Sequence, residues 1–201
     1  IGSDRLYEKK YSSDVSEEYK KILNAYCEGI NRFAELHPEQ VLSKKLFPIN
    51  TKSLFLYGQL QLFVSSKGDF WVKKILKNKL NYEPIKDIEK GSNTFAFNSA
   101  KTKDGNTYIA INTHQPLDGP TSWYEVHLCS QEGTNIIGAL FAGSPNVLIG
   151  ANRNIAWAHT VNVPDKTDVF ALEMHPKKKK YYRVDNEYLK LKKYKAKLLV
   201  N

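Results

Sequence analysis

Cysteine is scarce. The 201 residues contain only Cys27 and Cys129, too few for a disulfide framework. Cys27 falls within a helical apolar pattern and Cys129 at the end of a strand pattern, so both read as buried free thiols. Methionine is scarcer still, with Met174 alone. No apolar run approaches the roughly 20 residues that a membrane-spanning helix needs. The opening Ile1-Gly2-Ser3-Asp4-Arg5 lacks a charged-then-apolar signal pattern. The chain is therefore expected to be a piece of something larger, and the missing targeting segment excludes no compartment. Glycine-rich phosphate loops, zinc-ligand spacing, RNP-like aromatic motifs, helix-turn-helix patterns and internal repeats are also lacking.

Acidic residues are the minority, 21 against 30 Lys and Arg, for a formal charge of +9. The excess concentrates in Lys177-Lys178-Lys179-Lys180 and between Lys190 and Lys197, in turn and strand-edge segments. Lysines there discourage unwanted strand pairing. With no accompanying motif, nucleic acid is not the expected partner. The apolar fraction of 41%, with twelve Tyr, nine Phe and three Trp, supports a packed core and excludes a disordered chain.

The pattern changes near residue 90. Asp14 and Glu17 have capping-box spacing. Behind them Val15, Tyr19, Ile22, Leu23, Tyr26, Ile30, Phe33 and Ala34 recur at helical intervals up to Pro38. Residues 51–66 and Asp69 to about Leu80 read as two further helices. The segment 81–91 has no period and reads as a linker between a helical region, 1–80, and a strand-rich region, 92–201. Strands are expected over Thr94–Asn98, Tyr108–Ile111, Trp123–Cys129, Asn135–Phe141, Ile155–Val161, Asp168–Met174, Tyr181–Val184 and Tyr188–Leu191. Turn signals stand at Asp104-Gly105 and Asp185-Asn186. Helices first and strands after them indicate an α+β layered fold.

Gly91-Ser92 alone reads as an ordinary turn before a strand. Two segments stand behind it: Asn112-Thr113-His114-Gln115-Pro116, with His114 22 residues after Ser92, and Trp157-Ala158-His159-Thr160-Val161-Asn162. Together the three resemble the penicillin acylase family of N-terminal nucleophile hydrolases, from Gly91 to Tyr182 most clearly and over Tyr19–Phe33 more weakly. The resemblance implies part of an αββα sandwich that spans the end of an α subunit, a spacer and the start of a β subunit. It implies self-cleavage between Gly91 and Ser92, and then hydrolysis of an acyl-amide substrate through an acyl-Ser92 ester. His114 would bond the serine, and the Val161 N–H would form half of an oxyanion hole. The other half, an asparagine, would lie beyond residue 201. The remaining parts of its own subunits are the implied partners, and a periplasmic or secreted location is implied with them.

The chemistry of the residues is consistent with that scheme. A serine hydroxyl needs a base. An N-terminal serine has one in its own α-amine, whose pKa of about 8 leaves much of it neutral near pH 7. Glycine at 91 tolerates strained angles and exposes the carbonyl to be attacked. No cofactor is needed for catalysis. Several members bind a structural calcium through two aspartates and a carbonyl between them, spaced as Asp165, Thr167 and Asp168 are here. Such a loop would supply only some of calcium's six to eight oxygens, and the residues themselves read as a polar turn. Many members carry an apolar residue where Gln115 stands, so a pocket lined by Gln115, Leu117, Trp123 and Phe141 is not purely apolar. A histidine at 114 resembles homoserine-lactone, lipopeptide and cephalosporin acylases more than penicillin G enzymes. The alternatives are an inactive relative or binding module for peptides or lipids, and a basic nucleic-acid-binding domain.

Overall fold

Helices fill the first part of the chain and strands the rest in the computed structural model, which describes residues 2–78, 91–161 and 166–195. It divides into two units, Ile1–Pro164 and Asp165–Asn201. The expected linker, Gly91 apart, and Asp165 of the expected calcium loop lie outside the described residues.

In the first unit α1 spans Ser3–Asp14, α2 Glu17–Leu36, α3 Thr51–Ser65 and α4 Gly68–Leu76. The cap of α2 is Ser16 rather than Asp14: its hydroxyl accepts from the Tyr19 N–H at 3.2 Å. Glu17 and Glu18 add negative charge to the first turn, where the helix dipole favours it. Asp14 instead ends α1, a helix too polar for its period to show, and its carboxylate accepts from Ser13 Oγ at 2.6 Å. Asn50 caps α3 by accepting from the Ser53 N–H at 3.0 Å. Side chains then tie the helices together. Tyr7 Oη and Thr51 Oγ1 are hydrogen-bonded at 2.9 Å. The Asn31 amide bonds the Ile49 N–H at 2.7 Å and the Ile49 carbonyl at 2.8 Å. Among the described residues no helix is long and apolar enough to cross a membrane.

Strands β1 (Ser92–Phe97) and β2 (Tyr108–Thr113) form an antiparallel pair, with Ser92 opposite Thr113. Strands β3 (Trp123–Cys129), β4 (Asn135–Phe141), β5 (Ile149–Ala151) and β6 (Ala156–Trp157) form one antiparallel sheet in that order. The bounds of β3 and β4 agree with the expectation. The strand expected over Ile155–Val161 shrinks to Ala156–Trp157. Pairing of β4 with β5 depends on glycine: a Cβ on Gly138 would lie 2.1 Å from the Ile149 carbonyl oxygen.

Helices meet this sheet at its turns. Tyr19 Oη donates to Asn146 Oδ1 at 2.8 Å. Tyr57 packs on Gly143, whose φ of +81° and 2.9 Å clearance for a Cβ both call for glycine. Leu23, Cys27 and Leu140 are the buried apolar side chains among the described residues. Burial pushes the Cys27 thiol above its ordinary value, as expected of a core thiol. Cys129 departs from its expectation and is exposed, because it is the last residue of β3, beside the turn of the β3–β4 hairpin.

The second unit contains β7 (Tyr181–Val184) and β8 (Glu187–Lys190), joined across Asp185-Asn186. Asp168–Met174 forms no strand; Met174 makes a single bridge to Tyr182. Across the same edge the Arg183 N–H donates to the Glu173 carbonyl at 2.8 Å. The Lys177 and Lys178 N–H groups close on His175 Nδ1 at 3.0 and 3.1 Å, which makes the lysine run a turn.

Candidate active site

The β1–β2 register builds the site. With Ser92 opposite Thr113, the next residues outward, Gly91 and His114, also face each other. The Gly91 carbonyl is engaged twice. Ser92 Oγ donates to the Gly91 oxygen at 2.6 Å. The His114 backbone N–H donates to the same oxygen at 3.3 Å. One donor is thus a serine hydroxyl, the expected nucleophile, and the other a backbone amide that draws electron density from the carbonyl.

The imidazole of His114 lies over Gly91. A Cβ at position 91 would meet its Nδ1 at 3.2 Å and its Cε1 at 3.5 Å. Glycine therefore serves here by leaving room for a ring. The side-chain partner of His114 is Asn93, with Nδ2 3.4 Å from Nε2. When Asn93 donates there, Nδ1 carries the ring hydrogen on the Gly91 side. Ser92 and Thr94 are half-buried on one face of β1, and Thr94 Oγ1 is a buried atom with no partner.

The expected pocket residues separate into two groups. Trp123 and Phe141 are opposite one another on β3 and β4, and their rings stack with centroids 4.6 Å apart. Trp123 Nε1 is buried without a hydrogen-bond partner. Gln115 is half-buried beside His114, whereas Leu117 is fully exposed in the loop between β2 and β3. That loop is held by a residue the sequence reading missed: buried Gln61 of α3 donates from Nε2 to the Pro120 carbonyl at 2.6 Å. Its signal is a polar side chain at a buried position in the otherwise apolar Leu60-Gln61-Leu62-Phe63. Asn93 was missed as well, since nothing in its neighbourhood marks it before the register is known.

Val161 follows β6 and is 41% exposed, with non-strand backbone. His159, two residues earlier, is exposed. In the second unit Thr167 is half-buried and Asp168 exposed. Among the described residues no three His, Cys, Asp or Glu side chains gather where they would hold a metal ion.

The sequence model described as Penicillin amidase matches residues 1–201. Acyl-homoserine lactone acylase PvdQ of Pseudomonas fluorescens (strain Pf0-1) is 31% identical over 106 residues, 53% of this chain and 14% of the relative. Aculeacin-A acylase of Actinoplanes utahensis is 32% identical over 95 residues, 47% of this chain and 12% of the relative. Acyl-homoserine lactone acylase QuiP of Pseudomonas aeruginosa is 29% identical over 98 residues, 48% of this chain and 12% of the relative. The aligned part of the chain thus spans about one-seventh of the length of these relatives. The match over residues 1–201 makes the chain a member of the penicillin amidase family.

Proposed function

We propose that the full-length protein is an amidohydrolase that matures by cutting itself between Gly91 and Ser92. The observation that carries this reading is the double engagement of the Gly91 carbonyl, by the Ser92 hydroxyl at 2.6 Å and the His114 amide at 3.3 Å. Attack of Oγ on that carbonyl carbon gives an ester between Gly91 and Ser92 and frees the Ser92 amine. Water opens the ester, releasing the Gly91 carboxylate and leaving an N-terminal serine.

The mature enzyme then repeats the chemistry on its substrate. The Ser92 α-amine takes the hydroxyl proton, and Oγ attacks the acyl-amide carbonyl. The Val161 N–H and an asparagine outside this chain hold the oxyanion. The amine leaves with a proton, and water releases the acid from acyl-Ser92. Trp123 and Phe141 form an apolar wall for an acyl chain and Gln115 a polar edge. The names of the relatives favour N-acyl-homoserine lactones or lipopeptides as substrates. Calcium at Asp165, Thr167 and Asp168 would be structural, and no step uses it. A periplasmic or secreted location accompanies this reading.

The test is hydrolysis of N-acyl-homoserine lactones of graded chain length by the full-length protein. Release of homoserine lactone by wild type, and a loss of at least about 10⁴-fold in Ser92→Ala, is the expected result. Hydrolysis that survives Ser92→Ala would remove Ser92 from the mechanism. No hydrolysis of any acyl amide by processed protein would favour a binding module.

A further inference from the structure

Helix α3 reaches both strands of the β3–β4 pair at the same end. Trp123 opens β3 and Phe141 closes β4; the two are register partners with stacked rings. A turn adjoins each. Before Trp123, Ser122 closes on the Gly119 carbonyl through its N–H at 3.2 Å and its hydroxyl at 2.8 Å. After Phe141, the Ser144 N–H donates to the Phe141 carbonyl at 2.8 Å. Glycines with left-handed φ, +85° at Gly119 and +81° at Gly143, shape the two turns.

One face of α3 engages both turns. Tyr57 and Gln61 are four residues apart and so lie on the same side of the helix. Gln61 Nε2 donates to the Pro120 carbonyl, within the first turn, at 2.6 Å. That carbonyl takes no part in the turn's own bond, so it needs an outside donor. The Tyr57 ring lies against Gly143 in the second turn, with Cε1 2.9 Å from where a Cβ would stand. Gln61 is buried, although it is polar. The two residues also line one cavity of about 200 Å³ with Gly143 and Ser144.

We infer that Gln61 and Tyr57 are positioning residues for acyl-chain selection, through the place they give the Trp123–Phe141 pair. The inference rests on the reading above, in which that pair walls the acyl chain. The β3–β4 register fixes the two rings against each other, but not where the pair stands relative to the helices. The α3 contacts do that, one on each strand. Without the Gln61 donor the Pro120 carbonyl loses its partner, and the approach to Trp123 loosens. A wall that shifts loses contact first with the far methylenes of a long chain, and least with a short one. Helix α3 precedes Ser92 and the wall follows it, so in the cut protein a helix of one chain shapes a wall carried by the other.

The experiment measures kcat/KM of the processed full-length protein on butanoyl- and decanoyl-homoserine lactone, in wild type, Gln61→Met and Tyr57→Leu. Methionine keeps the length of glutamine and removes the donor. Both variants are expected to lower the decanoyl-to-butanoyl ratio by at least about tenfold, chiefly through KM for the longer substrate. Circular dichroism confirms folding, and amide exchange over residues 117–123 is expected to be at least about tenfold faster in each variant. An equal loss on both substrates, or an unchanged ratio, in either variant would make that residue structural only and overturn its assignment. A variant that stays uncut is compared by exchange with uncut Ser92→Ala: faster rates support its assignment and equal rates overturn it. Hydrolysis that survives Ser92→Ala, or a wild type inert on both lactones, would instead strike the reading of the wall, and this inference with it.

Discussion

At position 91 a methyl group is enough to disturb the site. The Cβ of Gly91→Ala would stand 3.2 Å from His114 Nδ1 and force the ring to yield by a few tenths of an ångström. Gly91→Ala is expected to slow self-cleavage by about tenfold to 100-fold without unfolding the chain, measured as the rate at which precursor disappears. Val161 is tested through its backbone, because its role is an N–H. Val161→Pro removes that donor and is expected to lower kcat of the mature enzyme by about 10²–10³, while Val161→Ala stays near wild type. A wild-type rate in the proline variant would remove Val161 from the oxyanion hole. At this scale the resemblance singled out Ser92 and His114, and the β1–β2 register brings the two residues to one end of the strand pair. The sequence was silent where a contact depends on register or on a distant element: Asn93 meets His114 only after β1 and β2 pair, and Gln61 reaches Pro120 from α3.

The elements carry predictions of their own. Ser16→Ala is expected to cost about 1 kcal/mol through loss of the α2 cap, and Asp14→Ala to leave that cap intact; chemical denaturation compares the two. Gly143→Ala places a side chain at φ +81° and 2.9 Å from Tyr57, and is expected to cost about 1–3 kcal/mol in the same assay. The Asp104 carboxyl is held at about 2 by the Tyr108 hydroxyl and then by Asn106. A carboxyl depressed in the folded state contributes stability that is present above its unfolded value of about 3.9 and is lost as pH falls through the folded value. Amide protection in β1 and β2 is thus expected to weaken from about pH 4 towards pH 2 in wild type, and much less in Asp104→Asn. The bounds of β3 and β4 were legible because each is an uninterrupted strand-forming run between clear turns. Helix α1 was hidden by its polar face, and β5 by its shortness and its glycine, since it forms only by pairing with β4.

Across the whole molecule, charge and chain coverage set what the protein can be. Of the formal +9, much lies in the lysine turn of the second unit and between Lys190 and Lys197. The family match spans residues 1–201, and the aligned region is 12–14% of the curated acylases. An α+β order of helices then antiparallel strands was readable from the change of period near residue 90, whereas the pairing of strands into sheets was not, because it depends on contacts remote in sequence. The most direct test of the central claim is the intact mass and N-terminal sequence of the purified full-length protein. Two chains, the second beginning Ser92-Asn93-Thr94, are predicted for wild type and one uncut chain for Ser92→Ala. An uncut wild-type protein that still hydrolyses acyl amides, or cleavage at another bond, would contradict the assignment of Ser92 as an N-terminal nucleophile.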